Sequence, residues 1–143
     1  MNMEKFNEDQ KEEIRAGLAA GVDTSIYADP KYDHFQMYVI RRGLEQGLDV
    51  SVYADPKFDA QQMFEILDGL KDNLAVSIFA DPKYDWDQMW EICEGLKDDL
   101  DVSVYADPKI NSDQMRHTRW ELETQQTHPS IWPITPDGKG LER

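Results

Sequence analysis

The chain has 143 residues, of which 15 are Lys or Arg and 29 are Asp or Glu, so its formal net charge is −14. An acidic chain of this length predicts a single domain and excludes the ordinary basic class of nucleic-acid-binding protein. No stretch approaches the ~18 consecutive apolar residues of a membrane span, and the opening MNMEKFNEDQ lacks the apolar run of a signal peptide. We therefore expect a cytoplasmic protein. With Cys93 as the single cysteine and three histidines, we expect no disulfide, no zinc site and no cofactor.

Short motifs recur along the chain at one fixed interval. An aromatic-Ala-Asp-Pro motif ends at four prolines that are 26 residues apart: Pro30, Pro56, Pro82 and Pro108. A Gln-Met pair recurs at the same interval, with its glutamines at Gln36, Gln62, Gln88 and Gln114. A fixed period of this size predicts an array of repeats, each of which buries its apolar face against its neighbours.

Each repeat opens with the pattern of a capping box, in which an Asp or Asn is followed three residues later by Gln. The pattern predicts long helices that start near residues 7, 33, 59, 85 and 111. In the third helix, apolar residues at helical spacing predict one buried stripe: Met63, Ile66, Leu70 and Leu74.

The segment after each long helix has two interpretations. In residues 48–54, the alternation of Val50 and Val52 is compatible with a short strand, whereas Asp49 is placed to cap a short helix. A ladder of strands would leave unpaired edges at both ends, so the short helix is favoured. The Asp-Pro pair then ends the element, because the residue before proline is disfavoured in the α region.

The predicted fold is therefore all-α. It is a short α-solenoid of about five helix–short-helix repeats with a period of 26 residues, in a domain of residues 1–124. Residues 125–143 carry three prolines and two glycines without periodicity, which predicts an irregular tail. Three apolar residues in that tail favour docking on the last repeat over a free tail: Ile131, Trp132 and Ile134.

The units DVSVYADPKFDAQQMFEILDGL (49–70) and DVSVYADPKINSDQM (101–115) resemble a short repeat of uncharacterised proteins from gut Firmicutes and their phages or mobile elements. The likeness covers residues 7–120. It implies a helical-repeat scaffold of mobile-element origin, and it carries no activity or catalytic residue with it. This chain departs from those repeats after the Met of each unit, where they often carry charge and it has rings: Tyr38, Phe64 and Trp90.

No constellation in the sequence predicts catalysis or a metal site. Carboxylate pairs such as Asp55 and Asp59 bracket a Pro-Lys-aromatic turn and lack the glycine and distal glutamate of a calcium loop. His34, His117 and His128 lie far apart in the array, so they nominate no catalytic triad. We therefore expect no enzyme activity.

Two features are candidates for a binding function. The first is the aromatic series Tyr38, Phe64 and Trp90, at one equivalent position of three helices, joined by Trp86. These rings are either packing between repeats or an exposed binding stripe, for which Trp and Tyr are favoured.

The second candidate feature is charge, because residues 59–115 hold 14 acids and 4 bases. The acids that crowd the third and fourth units are Asp68, Asp72, Asp87, Glu91, Glu94, Asp98, Asp99 and Asp101. They form either a solvated surface that keeps the protein soluble or the binding site for a positively charged partner.

The function expected from these features is non-catalytic binding of a protein with a basic surface, without direct contact to nucleic acid or membrane. Its sharper form is a phage-encoded, anti-CRISPR-like inhibitor that mimics nucleic acid and occupies a nuclease or other defence protein in the host cytoplasm. The alternative is a structural or adaptor scaffold. A protein that sequesters a small ligand such as a nucleotide would need a cationic pocket, for which Arg41 and Arg42 are the one pair in the regular repeats.

Overall fold

The computed structural model describes residues 2–128, and this part of the chain consists of helices joined by turns and short loops. Its α-helices are α1 (Glu8–Ala20), α2 (His34–Glu45), α3 (Ala60–Lys71), α4 (Trp86–Lys97) and α5 (Ser112–Thr127). Single-turn 3₁₀ helices lie at Met3–Lys5, Thr24–Ile26, Val50–Val52, Val76–Ile78 and Val102–Val104. No strand occurs in the described residues, so the prediction of an all-α fold is confirmed. The segment at residues 48–54, for which a short helix was favoured over a strand, forms a 3₁₀ turn.

Every α-helix begins with a complete capping box. In α3, the Asp59 carboxylate accepts a hydrogen bond from the Gln62 backbone N–H at 2.8 Å, and the Gln62 side-chain oxygen accepts one from the Asp59 N–H at 2.9 Å. The N-cap residues are those that the sequence pattern indicates: Asn7, Asp33, Asp59, Asp85 and Asn111. Two of the orphan backbone N–H groups at each helix start are satisfied in this way.

The same glutamine also ties each helix to the next one along the chain. Gln62 Nε2 donates to the Tyr84 carbonyl oxygen at 2.6 Å, immediately before the N-cap of α4. Equivalent bonds run from Gln10 to Tyr32, from Gln36 to Phe58 and from Gln88 to Ile110. Consecutive helices pack against each other from α1 to α5. Each of these bonds joins the first turn of one helix to the backbone just before the next helix.

The helix interiors are close-packed around a tyrosine. Tyr53 is fully buried and its hydroxyl donates to the Val39 carbonyl oxygen at 2.8 Å. A Cβ at Gly43 would overlap this hydroxyl, so the helix glycine makes room for a side chain. Tyr27 and Tyr105 make the equivalent contacts with Gly17 and Gly95.

The core is a row of methionine and isoleucine side chains with no exposed surface: Met37, Ile40, Met63, Ile66, Met89 and Ile92. The stripe predicted for α3 is fully buried at Met63 and Ile66, whereas Leu70 and Leu74 are only partly buried. None of the helices in the described residues has the length and apolar character needed to cross a membrane.

The last helix is longer than predicted. It continues to Thr127, so residues 125–127, predicted to belong to the irregular tail, are helical. The physical reason is local, because residues 121–127 contain no Pro or Gly, and the helix is capped by His128, the residue before Pro129. The apolar trio predicted to dock lies outside the described residues: Ile131, Trp132 and Ile134.

Candidate functional site

The exposed rings of α2, α3 and α4 form a shallow groove of about 590 Å³. Its lining residues are Phe35, Tyr38, Val39, Ala60, Gln61, Phe64, Glu65 and Trp86, and we refer to it as the aromatic groove. The four rings are between 40% and 62% exposed, so they are surface residues and not packing between the helices. Three of the rings predicted to form a binding stripe therefore do lie together: Tyr38, Phe64 and Trp86.

The fourth predicted ring, Trp90, has a different neighbour. It is 39% exposed, and the guanidinium carbon of Arg119 lies 5.5 Å from its ring centroid, which is cation–π geometry. Sequence reasoning missed Phe35, because the equivalent positions in α3 and α4 are the polar residues Gln61 and Asp87. Phe35 could have been identified from its position three residues before Tyr38, because this spacing puts both rings on one helix face.

A carboxylate lies in the floor of the aromatic groove. Glu65 is 8% exposed, and among residues 2–128 it receives no hydrogen bond and forms no ion pair. No fully buried side-chain oxygen in the described residues lacks a hydrogen-bond partner, so the Glu65 oxygens still reach the surface. The surface that Glu65 lines is the aromatic groove, and its carboxylate therefore opens into it.

The environment of Glu65 raises the pKa of its carboxyl group to about 7. Burial is the largest cause, since it penalises the charged form, and the neighbouring carboxylate of Asp68 adds to it. Lys97 acts in the opposite direction, while Glu94 and Asp87 raise the pKa further. Glu65 is therefore a buried acid with more acids than bases near it, and it forms no ion pair in the described residues.

Glu91, which was predicted to bind a partner, lies buried inside the fold. Its side chain is 2% exposed, and its carboxylate accepts hydrogen bonds from Arg116 Nε at 3.0 Å and from Arg119 Nε at 2.8 Å. Arg119 also donates to Glu123 at 2.7 Å. The reason is its position, because Glu91 faces α5 and its charge is neutralised inside the junction between α4 and α5.

Three of the other predicted acids surround one lysine. Lys97 Nζ lies 3.0 Å from Asp68, 3.1 Å from Glu94 and 3.5 Å from Asp72. The hydrogen bond from Lys97 to Asp68 is the largest cause of the raised pKa of Lys97. This cluster remains partly exposed and carries a formal charge of −2, beside the groove on the same helices.

The remaining predicted acids are fully on the surface: Asp87, Asp98, Asp99 and Asp101. Within residues 2–128 none of them forms an ion pair. Asp101 caps the following 3₁₀ turn, since its carboxylate accepts hydrogen bonds from the backbone N–H and the hydroxyl of Ser103. The acids that the sequence presents as one group therefore divide into one buried acid, a lysine-centred cluster and an exposed set without ion pairs in the described residues.

Cys93 and Arg41 are both engaged within the fold. Cys93 is fully buried, and burial raises the pKa of its thiol to about 12, so the nucleophilic thiolate is not populated near neutral pH. Arg41 is bonded to Glu13 and Glu45, so it offers no free cationic pocket. In the described part of the chain, no group of three or more His, Cys, Asp or Glu side chains is placed to hold a metal ion.

Comparisons of the chain with protein-family models, with curated proteins and with solved structures find no match. The resemblance drawn from residues 49–70 and 101–115 therefore stays a prediction. The functional argument rests on the aromatic groove, on its carboxylate and on the charges around it.

Proposed function

We propose that this chain is a non-catalytic binding protein that recognises a protein partner with a basic surface through the face formed by α2, α3 and α4. The observation that carries the proposal is the aromatic groove, with four large rings that are 40–62% exposed around one carboxylate. Contiguous exposed aromatic surface is typical of interaction sites, and Trp and Tyr are enriched among the residues that dominate binding energy.

The charge around the groove supports a basic partner. The lysine-centred cluster of Asp68, Asp72 and Glu94 carries a formal charge of −2, and Asp87 adds another negative charge at the start of α4. A negative field of this kind speeds the association of a positively charged partner and disfavours acidic ones. The rings then supply the buried contact area and the acids supply the preference for charge.

We also propose that the helices form a short α-solenoid with a 26-residue unit. Three kinds of contact support it: the capping boxes, the glutamine bonds to the next helix entry, and the hydroxyl bonds of Tyr27, Tyr53 and Tyr105. Each kind is made by residues at the same place in the unit. A solenoid scaffold would display the groove residues of three neighbouring helices on one extended surface.

The test is capture of partner proteins from a lysate of the source cell on the immobilised chain, at low and at moderate salt. Phe64→Ala removes a groove ring, and the expected result is at least a tenfold loss in affinity for the captured protein. Trp120→Ala is the matched control, because Trp120 is 55% exposed on α5 and does not line the groove. Equal losses for both variants, or capture that salt does not weaken, would refute the proposal.

The nucleic-acid mimic is a second candidate, favoured by one observation. Asp98 and Asp99 at the end of α4, together with Asp101, are exposed and form no ion pair in the described residues. In this proposal, a phage-encoded chain blocks the nucleic-acid channel of a host defence protein in the cytoplasm. Reversal of these three acids to Lys is then expected to weaken capture more than Phe64→Ala, and a DNA duplex is expected to displace the chain from its partner. If the duplex does not compete, the adaptor role is the better description.

A further inference from the structure

The same helix position carries a glutamate in three of the described helices, partly buried in α1 and buried in α3 and α4, and two of these glutamates have an arginine partner. Glu13 in α1 is bonded by Arg41 of α2 at 2.9 Å, and Glu91 in α4 is bonded by Arg119 of α5 at 2.8 Å. In both cases the arginine comes from the next helix along the chain. The residue that faces Glu65 from the equivalent position of α4 is Cys93, which provides no charge.

The junction between α4 and α5 displays how such a glutamate is satisfied. The Arg119 guanidinium is hydrogen-bonded to Glu91 and also lies over the ring of Trp90, 5.5 Å from its centroid. Trp90 and Glu91 are the α4 equivalents of Phe64 and Glu65 in α3. One guanidinium thus contacts both an aromatic face and a carboxylate that are neighbours in sequence.

At the junction between α3 and α4 the ring and the carboxylate are present, and the guanidinium is missing. Glu65 is more than nine-tenths buried, has no partner among residues 2–128 and opens into the aromatic groove. Phe64 lines the same groove, and Tyr38 and Trp86 add further ring surface. A buried carboxylate without a partner is costly, so an incoming cation that pairs with it would gain a strong, charge-assisted contact.

We propose that the aromatic groove receives an arginine side chain of the protein partner, which pairs with Glu65 and stacks on Phe64. This inference rests on the proposed function, because it names the group that a basic partner inserts. Arginine fits better than lysine, since its planar guanidinium stacks on rings and donates two parallel hydrogen bonds to a carboxylate. An anionic occupant such as a phosphate is disfavoured by the acidic neighbours of Glu65, Asp68 and Asp87 among them.

The test is an NMR titration with the peptide acetyl-Gly-Arg-Gly-amide, and with its citrulline counterpart, which has almost the same shape and no charge. The readout is the indole N–H resonance of Trp86 in the groove, assigned from Trp86→Phe, with Trp120 on α5 as the internal reference. We expect the arginine peptide to shift the Trp86 resonance saturably without moving that of Trp120. The citrulline peptide, and a third peptide with lysine in place of arginine, are expected to bind at least several-fold more weakly.

Variants separate the pairing from general attraction of charge. Glu65→Gln keeps the side-chain shape, and we expect it to weaken binding of the arginine peptide about tenfold or more. Asp99→Asn removes the same formal charge at the end of α4, away from the groove, and is expected to change affinity by less than about twofold. Equal losses in the two variants, unchanged affinity in Glu65→Gln, or tight binding of the citrulline peptide would each overturn the inference.

A third variant supplies the missing arginine from within the chain. Cys93→Arg places a guanidinium where α2 and α5 carry Arg41 and Arg119, and it is expected to abolish binding of the arginine peptide while the helical content is retained. If that variant does not fold, Glu65→Gln still decides the question. If the peptide fails to bind while capture of the partner stays sensitive to Phe64→Ala, the inference is overturned and the proposed function stands; if both fail, the proposed function falls as well.

Discussion

The junction between α3 and α4 and the junction between α4 and α5 differ in how they treat a buried acid. Glu65 and Glu91 occupy the same position in consecutive helices, and both are almost completely shielded from solvent. Glu91 is held by Arg116 and Arg119, whereas Glu65 has no partner in the described residues and opens into a groove of aromatic rings. Equivalent positions in similar units therefore do not have equivalent roles. Whether the glutamate is paired depends on the residue that the next helix places opposite it.

Two further departures fall in the same part of the chain. Tyr105 donates its hydroxyl to the Glu91 carbonyl oxygen at 2.6 Å, while the equivalent Phe79 has no hydroxyl to offer Glu65. The 3₁₀ turn Val76–Ile78 follows Ala75 and has no side-chain cap, unlike the turns that follow an aspartate. The region around α3 and α4 thus lacks three contacts found elsewhere in the described chain: the arginine partner, the tyrosine hydroxyl bond and the aspartate cap. The same region carries the aromatic groove.

The largest expected effect on stability comes from removing Arg119 at the junction between α4 and α5. Arg119→Ala removes the better-buried partner of Glu91 and leaves its buried charge with the more exposed Arg116 as its ion-pair partner in the described residues, so we expect a loss of about 3 kcal/mol in the free energy of unfolding, measured by urea denaturation. Arg116→Ala is the control, because Arg116 is far more exposed, and it is expected to cost less than about 1 kcal/mol. Similar losses for the two variants would contradict the distinction.

The second effect is a pH dependence of stability that arises from Glu65 at the junction between α3 and α4. The pKa of Glu65 is raised from 4.5 to about 7, so between these values the folded state holds a proton that the unfolded state has released. Stability from this group is therefore greatest below pH ~4.5 and falls as pH rises through ~7, by up to about 3 kcal/mol. Urea denaturation of the wild type and of Glu65→Gln from mildly acidic to mildly alkaline pH isolates the effect, since all other titrating groups are shared. Parallel curves for the two proteins would show that Glu65 does not titrate in this range.

The third test exchanges the tyrosine and phenylalanine of the two junctions. Tyr105→Phe removes the hydrogen bond to the Glu91 carbonyl oxygen, and we expect it to cost about 1 kcal/mol in the free energy of unfolding. Phe79→Tyr adds a hydroxyl beside Glu65, and we expect it to stabilise by a similar or smaller amount if the hydroxyl reaches the carbonyl oxygen. Thermal denaturation of both variants is the measurement. A stabilising Tyr105→Phe would mean that the hydroxyl is not a net contributor.

The smallest effect concerns the uncapped turn. Ala75→Asp recreates the cap that Asp49 and Asp101 provide at the equivalent turns, and we expect a gain of about 0.5–1 kcal/mol, measured by urea denaturation. Ala75→Asn is a useful companion, because it caps without adding negative charge to an acidic chain. A gain from Asn without one from Asp would mean that repulsion from neighbouring acids offsets the cap.

Much of the local structure could be predicted from the sequence. The helix starts at Asp33, Asp59 and Asp85 follow from contacts between residues three apart, and such contacts need no knowledge of the rest of the fold. The structural role of the aspartates in the Asp-Pro turns follows in the same way, since Asp55 accepts a hydrogen bond from the backbone N–H of Lys57, two residues on. The exposure of the aromatic series was left open, because helical spacing by itself does not tell which flank a neighbour covers.

Only the tertiary structure decided which charges are available. The fates of Glu91 and Glu65 depend on Arg119 and Cys93, which lie 28 residues further along the chain and on a different helix. The sequence alone determined where helices start and which positions recur, since these depend on hydrogen bonds between near neighbours. Pairing, burial and the joining of rings into one groove depend on which side chains face each other after packing, and that is a property of the folded chain.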